Sequence, residues 1–308
     1  MATKPRRHIP GQVSLLTRRT IMRLFMLKPD EFMNAVMSYE VARASHRHGQ
    51  SVHAAMTMPN HPHFVVTDTT GERSGFMQDA MSGIARVRNR DLDRSGYFWD
   101  AQPYGDTVLL DQNAIERKLL YTWLNPVKAG LVPRAKDWPG FKVLPKDWGK
   151  TITVKCPDRF YGRDSPDTVQ YTPQPPPGYD HMSLEEVQEH FEELLRKEED
   201  KIIEARKVAN KPFFGLEYIQ AINHYGAPKS SSDSGRLNPR FATTDAKVMA
   251  NAIERYKSFL EAYEATRQRW KKSKRKCVFP CGTLWLRKNA NVKCAPVGTD
   301  EPGLVRCS

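Results

Sequence analysis

The sequence predicts an α+β chain in which a ferredoxin-like antiparallel sheet with helices precedes a mostly α-helical C-terminal extension. Two observations carry this. The first half runs in the order strand, helix, strand, strand, helix, strand, with hydrophobic period switching between two and about 3.6. The second half holds long, highly charged stretches at helical spacing, separated by proline- and serine-rich segments.

Gln12 to Arg18 reads as the first strand. Pro29-Asp30-Glu31 opens a helix with proline and acids in its first turn, and Gly49 closes it. Ser51 to Met58 and His61 to Thr67 read as two strands joined by the turn signal Pro59-Asn60. Phe76 to Leu92 is a second amphipathic helix, and Asp106 to Leu110 a further strand. Asn113-x-x-Glu116 has the form of a capping box for a third helix, expected to run to Asn125 and stop at Pro126. Beyond Trp138 the pattern decays, and Ser165 to Tyr179 holds five prolines without apolar periodicity, the mark of a stiff linker or extended arm. Ser183-Leu184-Glu185-Glu186 caps a long charged helix to about Asn210, and Ala246 to Trp270 is another. The expected division is a sheet-bearing unit at 1–145, a Pro-rich linker at 146–182, and a helical, basic extension at 183–308.

The chain has 308 residues and a formal net charge of +13. Residues 1–150 carry +8, residues 151–235 carry −5, and residues 236–308 carry +10. Two separated basic blocks point to a polyanionic partner, nucleic acid ahead of anionic lipid. No apolar run approaches the roughly 18 residues of a membrane span, and Met1 to Gly11 has no apolar segment behind its basic residues. A cytoplasmic, nucleoid-associated protein with no membrane partner is the expectation. Five scattered cysteines argue against a disulfide framework. Cys277 and Cys281, with Cys294 and Cys307, are spaced too unevenly for a zinc ribbon and read better as free thiols.

His61 and His63 stand two apart on a strand, so both imidazoles face one side and can offer two ligands to a divalent metal. A chance pair on a strand face is the competing reading. Tyr121 and Asn125 stand four apart and share a helix face. One reading makes Asn125 a third, carbonyl-oxygen ligand with the Tyr121 phenol beside the metal, suited to attack on phosphate. The other makes Tyr121 a core aromatic and Asn125 a C-terminal cap before Pro126. The nearby His46, His48 and His53 read as surface or packing residues.

Met58-Pro59-Asn60-His61-Pro62-His63-Phe64-Val65-Val66 resembles the HUH strand of the single-tyrosine transposases. Tyr121-Thr122-Trp123-Leu124-Asn125-Pro126-Val127-Lys128-Ala129-Gly130-Leu131-Val132 resembles the tyrosine helix of their REP-associated branch. Thr17-Arg18-Arg19, Phe25-Met26-Leu27-Lys28-Pro29 and Gly96-Tyr97-Phe98-Trp99 match in the family's order, so the likeness covers about residues 8–140. Phe279 to Arg287 is similar to a tail of some larger members.

The resemblance implies an HUH endonuclease fold and a transposase that cleaves and joins single-stranded DNA at hairpins or repeats. His61, His63 and Asn125 would hold magnesium or manganese, and Tyr121 would form a 5′-phosphotyrosine. Pro62 departs from the pattern, which has a bulky apolar residue between the histidines. Proline fits an edge strand or a bulge and can tilt its neighbours. The alternative is therefore an inactive or domesticated HUH protein that binds DNA hairpins. Arg18 and Arg19, with Lys271, Lys272, Lys274, Arg275 and Lys276 behind aromatic residues of the last long helix, are the candidate DNA-contacting residues. A monomer or a homodimer fits this reading.

Overall fold

The structure, a computed structural model, describes residues 5–229, 239–272 and 277–298. Strand β1 (Gln12–Thr17) leads to helix α1 (Glu31–His48), the hairpin of β2 (Gln50–Met58) and β3 (His61–Asp68), helix α2 (Arg73–Asp91) and β4 (Gly105–Leu109). Helices α3 (Gln112–Trp123) and α4 (Asn125–Lys128), then strands β5 (Lys142–Val143), β6 (Ile152–Lys155) and β7 (Thr168–Tyr171), follow. The remainder comprises α5 (Leu184–Val208), α6 (Gly215–Ala221), β8 (Phe241–Ala242), α7 (Ala246–Lys272), β9 (Val278–Phe279), α8 (Trp285–Ala290) and β10 (Lys293–Cys294).

The central sheet has the order β5-β2-β3-β1-β4-β8 and is antiparallel except at β4–β8. Alternation along each strand divides its residues between two faces. Leu16, Val52, Ala55, Phe64 and Val66 pack under α1 and α2. Val13, Leu15, Ala54, Met56 and Val65 face α3 and α5. Helix α1 begins where the Asp30 carboxylate accepts the Met33 N–H at 2.6 Å and ends on Gly49 at φ +56°, as the sequence predicts. Among the described residues, no helix is long and apolar enough to cross a membrane.

Several local expectations need correction. Asp111, not Asn113, caps α3 by accepting the Ala114 N–H at 2.7 Å. The helix stops at Trp123, and Asn125-Pro126 opens the short α4, because proline is tolerated in a first turn where no N–H is needed. Within the Pro-rich segment 146–182, expected as a stiff linker or extended arm, the chain also forms regular structure. It carries β6 and β7, which form a hairpin packed on Tyr39 and Ala42 of α1 through Val154. The Gln174 N–H donates to Val52 O at 3.1 Å, and Gly149 N–H to Pro173 O at 2.8 Å. Only alternate side chains of this hairpin are covered, so its short strands carry little apolar pattern.

Helix α5 finishes the core of the sheet unit. Its Phe191 ring lies 6.0 Å from that of Trp123 and 5.3 Å from that of Trp148, all three fully buried. Further on, Ala252 and Val248 of α7 pack on Val108 and Leu110 at β4. Lys274, Arg275, Lys276, Cys307 and the serine-rich stretch at 230–235 lie outside the described residues.

Candidate active site

Strand β3 starts on the turn Pro59-Asn60, so His61 and His63 emerge at the same edge of the sheet as the Thr20–Leu24 turn. Asn60 ties the two together. Its carbonyl accepts the Thr20 N–H at 2.9 Å and its amide donates to Arg23 O at 3.3 Å. Its Oδ1 meets Nδ1 of His61 at 2.6 Å. Met22 and Arg23 in this turn have φ of +52° and +60°, a conformation that costs non-glycine residues energy and gathers near functional sites.

His61 and His63 face the α3 side of the sheet, where Val65 also points. Thr17 of β1 and Met56 of β2 stand opposite His63. The two imidazoles meet edge to face with centroids 4.6 Å apart. The Tyr121 ring of α3 stands perpendicular to that of His63 at 5.5 Å. Tyr121 is not a core aromatic, since 38% of its surface is exposed. The aromatic anchor of the helix is Trp123, fully buried, with its indole N–H donating to Val143 O at 2.8 Å.

Pro62 does not tilt the pair apart. Its partner across β2 is Thr57, whose N–H donates to Phe141 O and whose carbonyl accepts the Trp138 indole at 2.9 Å. Thr57 and Pro62 therefore form a non-hydrogen-bonded pair, and β2 loses no ladder bond to the missing N–H. On the other side, the pairing of β1 ends at Thr17 opposite His63. Proline thus occupies the second residue of a central strand, at a non-hydrogen-bonded position of the β2 ladder and beyond the end of the β1 ladder, rather than an edge strand or a bulge.

The charges around the rings have one sign. Burial, with Arg19 and Arg23 acting in the same direction, lowers His61 to about 4. Burial, then His61, Arg19 and Lys118, hold His63 well below the ordinary histidine range. Both imidazoles are therefore neutral near pH 7, with lone pairs to give. Burial raises the Tyr121 phenol and Arg19 pulls it back. The ammonium groups of Lys118 and Lys128 lie 5.1 and 6.0 Å from the centroid of the Tyr121 ring. Burial, then Arg117 and Lys128, lower Lys118. Arg19 is the group felt by all three site residues.

The donor set can be tested against a divalent metal. Neither ring nitrogen of buried His63 has a hydrogen-bond partner within the chain, so both are open to a water or an ion. Nδ1 of His61 is engaged by Asn60, which leaves Nε2 as its ligating atom. The Asn125 amide nitrogen donates to Tyr121 O at 2.8 Å and to Thr122 O at 3.3 Å, the C-terminal cap of α3 that the sequence also allows, and this commits its nitrogen but not its carbonyl oxygen. Two neutral imidazoles and an amide oxygen suit a divalent ion that keeps several waters. Among the described residues, no cluster of three or more His, Cys, Asp and Glu side chains could hold a metal, the cysteines included.

Other expected residues divide. Arg19 faces the site, whereas the Arg18 guanidinium donates to Asp100 O at 3.1 Å on the opposite side of the strand. Lys271 and Lys272 are exposed at the C-terminal end of α7. His53 is a packing residue, its nitrogens within 2.9 Å of Gln174 O and 2.7 Å of Thr67 Oγ1. His48 bridges Glu72 and Asp79. Sequence reasoning missed Arg23, Lys118, Lys128 and the orienting role of Asn60; only the position of Asn60 directly before His61 could have signalled one of them.

No family model and no curated protein matches the chain. Among solved structures, it is similar to a REP-associated tyrosine transposase bound to a REP hairpin, at 17% identity and a TM-score of 0.40, over 48% of this chain and 85% of that one. It is also similar to a provisionally assigned transposase of Deinococcus radiodurans R1, at 15% identity and a TM-score of 0.29, over 39% of this chain and 95% of that one.

Proposed function

We propose that the chain is a transposase of the HUH type that cleaves and rejoins single-stranded DNA, at hairpin or repeat DNA, with Tyr121 as nucleophile. One observation carries the reading. An ionisable phenol sits against a neutral imidazole whose two nitrogens are unpartnered, itself packed on a second imidazole, with two lysines over the phenol ring. Core packing would account for the edge-to-face rings but not for the unpartnered His63 nitrogens or the exposed phenol. The sheet order β2-β3-β1-β4 with helices after β1 and β3 supports the ferredoxin-like form of the fold.

His61, His63 and Asn125 would hold magnesium or manganese, which when bound polarises the non-bridging oxygens of the scissile phosphate. The chain does the rest. Arg19, Lys118 and Lys128 attract the phosphodiester and stabilise the phenolate that Tyr121 must become. Tyr121 Oη attacks phosphorus, the bond to the 3′ oxygen breaks, and a 5′-phosphotyrosine forms. The leaving oxygen takes up a proton, balancing the one that the phenol lost to water, and appears as a free 3′-OH. Attack by that hydroxyl, or by another, reverses the step and joins strands. The basic end of α7 would grip the DNA outside the site.

Incubation with single-stranded hairpin oligonucleotides and Mn2+ or Mg2+ should yield a covalent protein–DNA band on denaturing gels. EDTA and Tyr121→Phe should each abolish it, with DNA binding retained in the variant. DNA binding without an adduct, on substrates that include the gene's own flanks, would leave a hairpin-binding protein instead.

A further inference from the structure

Helix α6 is held at both ends of the segment that contains it. At its start, the Phe214 N–H donates to Gly130 O at 2.9 Å and the Gly215 N–H to Leu131 O at 3.0 Å. That is the loop directly after α4, whose Lys128 lies over the Tyr121 ring. Beyond its end, Gly226 O accepts the Phe25 N–H at 2.9 Å, next to the turn that Asn60 ties to His61. Segment 214–226 thus connects the tyrosine side of the site with the histidine side.

Its side chains divide sharply. Ile219 is fully buried in the core with Leu131 and Trp123. Phe214 and Tyr218 are left 55% and 47% exposed, and their rings stack with centroids 4.5 Å apart at an interplanar angle of 24°. Tyr225, further along, is 55% exposed. Three cations belong to the adjoining stretches, although residues 151–235 as a whole are net acidic: Lys128 and Lys211 are exposed, and the Arg206 guanidinium lies 4.8 Å from the neighbouring Phe213 ring. Glu217 is the acid on α6. Preformed, parallel aromatic faces, tied through the loop after α4 to the side of the site that bears Tyr121, match the way proteins hold unpaired bases. A second protein copy would also cover apolar rings, but the hydrogen-bonded link to the loop after Lys128, which lies over the Tyr121 ring, favours the DNA strand.

We propose that the stacked Phe214 and Tyr218 rings form a platform for unpaired bases of the single strand that enters the site. The proposal rests on the nuclease reading for its strand, and it commits to single-stranded DNA. Base stacking on an aromatic ring is worth about 1–3 kcal/mol per base, which corresponds to a loss of roughly 5- to 150-fold on truncation.

The test uses the full chain carrying Tyr121→Phe, so that no turnover intervenes. Its probes are a fluorescein-labelled hairpin with a single-stranded oligodeoxyadenosine flank and the same hairpin without one. Phe214→Ala/Tyr218→Ala should weaken binding of the flanked probe about tenfold or more and leave the blunt probe unchanged. Phe214→Trp should restore the difference. Independently of any variant, 5-iododeoxyuridine placed in the flank should photo-cross-link to Phe214 or Tyr218. Equal affinity for both probes in the double variant and its parent, cross-links confined to other segments, or an effect limited to self-association would overturn the platform. The Tyr121 adduct of the wild-type chain is scored separately. A missing adduct with an intact flank preference sinks the nuclease reading alone, and an adduct without flank preference sinks the platform alone.

Discussion

Asn60 holds His61: its side-chain oxygen lies 2.6 Å from the imidazole Nδ1, while its backbone carbonyl is bound by Thr20. The contact fixes the ring's tautomer and direction from the residue before it. Replacing Asn60 by Ala keeps the carbonyl and removes the orienting oxygen. We expect Mn2+ affinity, followed by calorimetry, to fall about 10- to 100-fold, with the melting temperature nearly unchanged. An unchanged metal affinity would show that His61 is oriented by something else.

Pro62 is tolerated because Thr57 spends both backbone groups elsewhere. Pro62→Val, the bulky apolar choice, is therefore expected to change stability by under about 1 kcal/mol and to leave adduct formation within about threefold. A large gain in activity would mean that proline does distort the histidines.

Phe191 lies between Trp123 and Trp148. Phe191→Ala should cost about 3–5 kcal/mol in denaturant unfolding. Truncation at residue 182 should abolish cooperative folding, since α5 packs on α3 and on Trp148 and completes the core on the side of the sheet that bears the histidines. A soluble, cooperatively melting 1–182 fragment would contradict this.

His53 is the extra residue of the bulge where β2 shifts register between Val52 and Ala54. Burial lowers it to about 4, against 6.5 for the free side chain. As pH falls through that window, the unfolded chain takes up the proton first. Stability should therefore decline from about pH 6.5 to about pH 4. His53→Gln should flatten the slope in that window, read from urea unfolding at several pH values.

Lys118 and Lys128 flank the Tyr121 ring. Each lysine-to-methionine change should reduce the slope of log K against log salt for single-stranded DNA by about 0.7. Unaltered slopes would place the phosphates away from Tyr121.

Much of the sheet is legible in the sequence because its faces differ. Phe64 and Val66 alternate with His63 and Val65, and Asp30 and Gly49 announce the ends of α1. The break after Trp123 is harder to read. Pro126 stops one helix or starts another with equal ease, and packing of Val127 in the core decides for the latter. The hairpin in 146–182 is hidden because its partners, Tyr39 and Val52, lie a hundred residues away. His61, His63 and Tyr121 are marked by motif, but the cations that surround them are not. Lys118 and Lys128 look like any solvated helix lysines until α3 is laid against β3.

The anchoring of Trp123 has a consequence for assembly. With its indole bonded to Val143 and its ring against Phe191, the segment bearing Tyr121 cannot be traded to a neighbouring copy without emptying the middle of its own subunit. On the proposed function, the phenol and the imidazoles it faces then come from one polypeptide. Mixing a His61→Ala protein with a Tyr121→Phe protein should then restore no cleavage, whatever the number of chains in the particle.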